Sequence, residues 1–431
     1  MGKKFMVILV ACCVLIPSIL AGACTKAPVT EAPEKSLTVA FSSTFTGSMG
    51  ATGAHVCTGN MDYFRWVAGR GGIEYKDPAS GRTEKVAIKI VWEDVQFDVA
   101  KSTAAYKRFR AAGASVIYGF GSTPEEACAA FASRDKIPLI SWYAYASPQG
   151  YAPKPQYYFT AYPMIAESST TMLKWLIKER LKGTQTPKIG FMVGDLPSWR
   201  PIAKPGLLDG YINSIGGELA GIEFVPPLIT DVSVPLTRLV TEKKADGLIL
   251  IGSLDATIIL ARDSLRIGID PSKVPIVMNP SAWDESLLKF REMEGLYGEN
   301  GVSLPGTDVP GMKVVRDVAA YNGRSFENIA VVNSNYIQGL AGSIMLEEAM
   351  KRALNKDGYD NVAKSGESLR NQLANFTPME TGGLVHSIGV KYPDIEPFFM
   401  NYDRITEAKG GKLIVVSDWI SMDLIKGALD Y

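Results

Sequence analysis

Residues 115–147 read SVIYGFGSTPEEACAAFASRDKIPLISWYAYAS, and this stretch decides the fold. A short apolar run, Ser115 to Tyr118, breaks into a Gly-rich loop, Gly119-Phe120-Gly121-Ser122-Thr123. Thr123-Pro124-Glu125-Glu126 then forms a helix start, with a hydroxyl N-cap, proline at the first helical position and acids in the first turn. The helix continues through Ala127 to Ala132 and stops at Lys136-Ile137-Pro138. A second apolar strand, Leu139-Ile140-Ser141, runs into an aromatic loop, Trp142-Tyr143-Ala144-Tyr145. Strand, helix and strand in this order make a βαβ unit, which requires a parallel sheet. Ligands of such sheets sit outside the carboxyl ends of the strands. Both loops stand at those ends. One exposes hydroxyls and backbone amides, the other aromatic faces.

The same alternation extends in both directions. Upstream lie a strand at Ser36–Phe41, a hydroxyl-rich loop from Ser42 to Gly47 that includes Ser43, and a helix from Gly53 to Ala68. A strand at Val86–Trp92 closes with Glu93-Asp94, and Asp98 opens the next helix, to Ala112. Downstream, Phe159–Pro163 is expected to link out of a first lobe, and a helix at Ser168–Lys182 restarts the pattern. The strand Lys188–Val193 ends at Gly194-Asp195 and is followed by a loop carrying Trp199. Further strands at Gly221–Val225, Ala245–Ile251 and Val274–Met278 alternate with helices at 207–215, 236–243 and 258–267. The second of these strands ends in Gly252-Ser253-Leu254-Asp255, the third in Asn279-Pro280-Ser281. A long helix at Asn328–Lys351, a shorter one at Glu367–Ala374, and two strands, Glu396–Tyr402 and Lys412–Ser417, complete the pattern. Two successive series of strands and helices define an α/β protein of two doubly wound parallel-sheet lobes with a cleft between them. The length, 431 residues, also exceeds what one core usually supports.

Composition narrows the partners. Acids and bases balance at 45 each, so no net field recruits nucleic acid or an anionic membrane. Lys3-Lys4, an apolar run from Phe5 to Ala23 and a Pro-rich tail have the form of a secretory signal peptide over 1–23 and a polar linker over 24–36. Ala21-Gly22-Ala23-Cys24 resembles a bacterial lipobox, which makes Cys24 the expected lipid anchor. Cleavage without lipidation leaves Cys24 free, and an uncleaved signal anchor is a further alternative. Each places the body outside the cytoplasmic membrane. The body then keeps two thiols, Cys57 and Cys128, near the starts of helices on opposite faces of the sheet and expected to stay unpaired. His55 and His386 are the only histidines and lie far apart in sequence. That disfavours a histidine metal cluster or a Ser-His triad. No cofactor, metal or enzymatic activity is expected.

The order of these motifs resembles the solute-binding proteins of the branched-chain amino acid class of ABC transporters, the type I periplasmic binding fold. The resemblance is carried by Phe45-Thr46-Gly47-Ser48 with Gly53, by Glu93-Asp94 with Asp98-Val99-Ala100-Lys101, and by Gly121-Ser122-Thr123. Ile137–Ser141, Ala245–Leu248 and the turn Gly410-Gly411-Lys412 complete it. It covers residue 37 to the end. It implies a first lobe of 37–160 plus 285–390, a second of 161–284 plus 391–431, and a hinge crossed three times. It implies a monomer that closes on a small carboxylate- or amide-bearing ligand, such as a branched-chain or aromatic amino acid, and delivers it to a permease. A receptor domain of the same fold, signalling to a membrane partner, is the alternative.

Carried onto this chain, the carboxylate-binding hydroxyls fall on Ser122 and Thr123, and backbone donors on Tyr143 and Tyr145. The covering aromatic falls on Trp199. Ser43, Trp142 and Ser253 are further expected lining residues. Amino-acid binders of the family carry an acid just after the strand that ends here at Met278. This chain has Ser281, with Asp284 the nearest acid, so Asp195 or Asp255 becomes the candidate counter-charge for a ligand ammonium.

Overall fold

A computed structural model describes residues 35–143, 157–162, 165–197, 199–389, 400–423 and 425. The expected leader, the Cys24 anchor, Tyr145 and most of the expected strand at 396–402 lie outside the described residues.

The first sheet holds six strands: β1 (Ser36–Ser43), β2 (Ile73–Lys76), β3 (Thr83–Asp94), β4 (Ala114–Gly119), β5 (Leu139–Tyr143) and β6 (Tyr158–Tyr162), in the order β2-β3-β1-β4-β5-β6. All neighbours are parallel except the β2–β3 pair. Between them run α1 (Gly50–Gly69), α2 (Val99–Ala111), α3 (Ser122–Glu126) and α4 (Ala129–Asp135). The helix expected from Thr123 to Ala132 is therefore two short ones, the first of which follows Gly121. Phe159–Pro163 is not simply a link out: Tyr158–Tyr162 hydrogen-bonds to β5 as the edge strand. Asp98 caps α2 as expected, accepting from the Lys101 amide at 2.8 Å.

The chain then builds a second sheet. Its elements are α5 (Ile165–Trp175), β7 (Lys188–Gly194), α6 (Leu208–Ser214), β8 (Glu218–Val225), α7 (Ser233–Thr237), β9 (Gly247–Ile251), α8 (Leu254–Arg266), β10 (Ile276–Met278) and β11 (Tyr297–Asn300). Three helices, α9 (Met312–Tyr321), α10 (Ser334–Lys364) and α11 (Glu367–Ala374), precede β12 (Tyr402–Lys409), β13 (Lys412–Val415) and β14 (Ile420–Ser421). The order is β13-β12-β11-β10-β9-β7-β8, with β14 on β12. β11 pairs in parallel with β10 and antiparallel with β12. The chain thus leaves the second sheet after Asn300 rather than at the expected residue 285.

Alternation along the strands distributes the core. Ile249 and Ile251 of β9 join one apolar cluster, while Leu248 and Leu250 join another on the opposite face. In the first sheet Val39, Phe41, Val116 and Tyr118 face α1 and α10, whereas Ala40 and Ile117 face the α2 side. Small residues let the two long helices close on each other and on the sheet. A Cβ on Gly59 would stand 2.0 Å from the Tyr336 carbonyl oxygen, and one on Gly339 2.0 Å from that of Val56. Cys57 and Cys128 are both free and buried, and fall in different clusters.

Candidate ligand-binding site

Each sheet carries its loops at the carboxyl ends of its parallel strands, and the two loop sets touch. Thr52, in the first turn of α1, donates to the Ser281 carbonyl at 2.6 Å and accepts from the Leu254 amide at 3.3 Å. One turn on, His55 Nδ1 lies 2.8 Å from Asp284 Oδ2. Met49, just before α1, lines a narrow gap of about 10 Å³ whose other walls come from the second sheet: Gly194, Leu196, Trp199, Val225 and Ser253 among them. The lining is largely apolar, and it is built from both sheets.

The expected site residues divide. Ser253 caps α8, its hydroxyl accepting from the Ala256 amide at 3.4 Å, and borders the gap. Trp199 is 2% exposed and stacks over Gly194, where a Cβ would come within 2.6 Å of its ring. These two, with Met49, come together. Met49 had no motif to announce it, although its place just before α1 and after the hydroxyl loop is a strand-end position.

On the first sheet, Ser122 is buried at the start of α3, and Thr123 is half-buried beside it. Ser43 is buried and its hydroxyl lies 3.8 Å from the Met61 sulfur, so it faces α1. Trp142 is a correction. It is fully buried against α10, where a Cβ on Gly342 would stand 2.4 Å from its ring, so this side chain is core and not cleft wall. Tyr143 is also buried; its hydroxyl donates to Gln338 Oε1 at 3.1 Å and its ring meets Phe120 and Tyr162. Phe97 extends this row by packing on Phe120 and crowding Gly121, whose Cβ would meet it at 2.1 Å.

The acids are mostly committed. Asp94 ties the β1–α1 loop to the end of β3, accepting from the Phe45 and Gln96 amides and the Thr46 hydroxyl. Those bonds hold its carboxyl below the usual range, against the opposing pull of burial. Asp195 is clamped bidentately by Arg200 at 2.7 and 2.9 Å. Asp255 is exposed in the first turn of α8. Ser281 is buried with its hydroxyl used twice, donating to the Gly252 carbonyl at 2.7 Å and accepting from Asn279 Nδ2 at 2.8 Å. Asp284 is fully buried and accepts from Asn335 at 2.9 Å and the Ser286 amide at 2.8 Å. Burial would raise it, yet the neighbouring His55 and these donors leave its carboxyl below the usual range. Glu125 turns back to the Gly121 amide at 3.1 Å, and burial pushes it up to about 8.

Fold and geometry agree with the comparisons. The periplasmic binding protein family matches residues 36–391. The chain belongs to that family, with the type I periplasmic binding fold. Among solved structures it is similar to a substrate-binding protein of an ABC transporter from Aeropyrum pernix, at 20% identity and a TM-score of 0.72, covering 92% of this chain and 98% of that one. A branched-chain amino acid ABC transporter protein from Thermus thermophilus with bound valine aligns at 17% identity, TM-score 0.73, with the same coverages of 92% and 98%. A solute-binding protein from Rhodopseudomonas palustris BisB5, in complex with 3,4-dihydroxybenzoic acid, aligns at 19% identity, TM-score 0.69, covering 91% and 99%. No curated protein matches in sequence.

Proposed function

We propose that this protein is the extracytoplasmic solute-binding component of an ABC importer, which encloses a small ligand between its two strand-end loop sets and delivers it to a permease. The observation that carries this reading is the apolar seam, with about 10 Å³ of free space, where Met49 from one side meets Trp199 and Ser253 from the other. A pocket assembled from two opposed sheets can be opened and shut by a hinge, and the chain passes between the sheets after β6, after β11 and before β12. We take the sheets, with their flanking helices, as two lobes. Enclosure removes water, so each polar contact to the ligand gains strength. The hydroxyls and amides of Ser122 and Thr123 are the proposed holders of a carboxylate or amide, with the apolar seam for the ligand body. Neighbours of the same fold are described with valine and with an aromatic acid, so both ligand classes suit the scaffold. The basic and apolar leader and Cys24 supply the proposed route to the outer face of the membrane.

A thermal-shift screen of the chain against amino acids, aromatic acids, amides and fatty acids tests the reading. A ligand at 100 times its Kd stabilises by roughly 2.7 kcal/mol, which a melting curve detects readily. Stabilisation by one chemical class supports capture; a flat response across all four counts against it.

A further inference from the structure

We infer that the ligand of this cleft carries no ammonium group: its polar end is a carboxylate or a neutral hydrogen-bonding group on an apolar or aromatic body. This narrows the binding reading above and rests on it.

An ammonium enclosed between the strand ends leaves water and needs a carboxylate at hydrogen-bonding distance, because an unpaired buried charge is strongly unfavourable. Among the described residues, the acids at the strand ends have other occupations. Asp94 holds the β1–α1 loop, and Asp195 holds Arg200. Asp284 is saturated by His55, Asn335 and Ser286, and Glu285 accepts from the Ser334 amide at 2.7 Å. Glu125 is buried at the end of β4, where it accepts from the Gly121 amide at 3.1 Å. Glu126 lies beside Tyr158 of the edge strand. After β10 the chain offers Ser281, whose hydroxyl already has a donor and an acceptor and carries no charge. The stretch 144–156, which follows β5, contains no Asp or Glu. Asp255 is a further acid, and it is exposed to water.

The positive side of the ledger points the same way. The side chains that face each other across the seam, Met49, Leu196, Trp199, Val225, Pro227 and Leu250, offer a hydrocarbon or ring apolar contact once the two loop sets part. The cation nearest Trp199 in the chain is Arg200, whose side chain is 65% exposed although it is paired. A partly solvated guanidinium can share a second carboxylate; it repels an ammonium.

Calorimetric titration of the full chain with two matched pairs tests this: L-leucine against 4-methylpentanoate, and L-phenylalanine against 3-phenylpropanoate. Each pair differs by the amine alone. The deaminated member is expected to bind at least tenfold tighter, with the same order in Asp255→Asn. An amino acid that binds as tightly as its partner or more so overturns the inference, and loss of that binding in Asp255→Asn would name the counter-charge. Binding of 3,4-dihydroxybenzoate or a fatty acid with both pairs silent supports it. Silence from every compound overturns the capture reading and this inference with it.

Discussion

Glu299 of β11 and Asp403 of β12 place two fully buried carboxyl groups within hydrogen-bonding reach of each other. Tyr162, the last residue of β6, donates to Asp403, and Thr171 of α5 donates to Glu299. These residues stand where the chain passes between the two sheets. Arg404 follows on β12 but stacks over Trp419 at 4.6 Å, on the other face of the strand. Two carboxylates this close cannot both ionise in a buried site, so the pair keeps one proton.

That proton makes stability depend on pH. Burial, and for Glu299 the neighbouring Asp403, raises both groups above the ordinary carboxylate range. Their contribution is complete below the unfolded value of about 4 and is lost as pH rises through the raised folded values. The melting temperature is expected to fall between pH 4 and 8 more steeply in the native chain than in Glu299→Gln, which keeps a donor toward Asp403 without the second charge. Glu125 and Glu285, raised to about 8 and 7, are common to both proteins and cancel in the difference. Equal slopes would remove the shared proton from the account.

Asp284 works in the opposite direction. His55 and the Asn335 and Ser286 donors hold it below the ordinary range, so its contribution is present above about pH 4 and is lost as pH falls through its folded value. Removing His55, as in His55→Ala, leaves a buried carboxylate short of its partner. A loss of about 3 kcal/mol at pH 7 is expected by denaturant titration. A double-mutant cycle with Asp284→Asn should recover much of it. Additive losses would mean that the two residues act independently.

Gly342 sets the separation of α10 from the first sheet. A Cβ there would meet the Trp142 ring at 2.4 Å and the Tyr118 hydroxyl at 2.0 Å. Gly342→Ala is expected to lower stability by about 1–3 kcal/mol despite alanine's better helix propensity. Trp142→Phe in the same chain should restore part of it. A neutral or stabilising Gly342→Ala would show that the helix has room to move.

Trp199 is the proposed cover of the ligand. Trp199→Phe keeps an aromatic ring but shortens it, which limits the damage to folding. Affinity for the best ligand of the screen is expected to drop about tenfold, or ~1.4 kcal/mol. Unchanged affinity measured by calorimetry would move the ligand away from this seam.

The buried thiols give a further check. Burial pushes both Cys57 and Cys128 up to about 12, which leaves almost no thiolate at neutral pH. Peptide mass spectrometry should find neither alkylated in the native chain and both alkylated after denaturation. Rapid native labelling of Cys128 would mean that its helix opens.

Much of the fold was legible because alternating strands and helices leave a periodic trace. The strand ends at Gly119, Gly194, Ile251 and Met278 all fall within a residue of where the apolar runs stop. Trp142 was misplaced because a run of aromatics reads as a loop. It continues β5, and its parity with Ile140 turns it toward α10. β11 was missed because Tyr-Gly-Glu-Asn looks polar. Its Glu299 is tolerated inside by a partner that lies more than a hundred residues away in sequence.

By itself, then, the sequence determined the α/β class, the succession of strand-end loops and the absence of an acid at position 281, because these depend on local pattern and on single residue identities. Only the tertiary structure decided which acids are free. Asp284, Glu125 and Asp195 look alike in sequence, and they differ in who meets them: His55 from another helix, the amide of Gly121, the guanidinium of Arg200. A carboxylate's charge and availability follow from burial and from its donors, and those are set by packing across the whole chain.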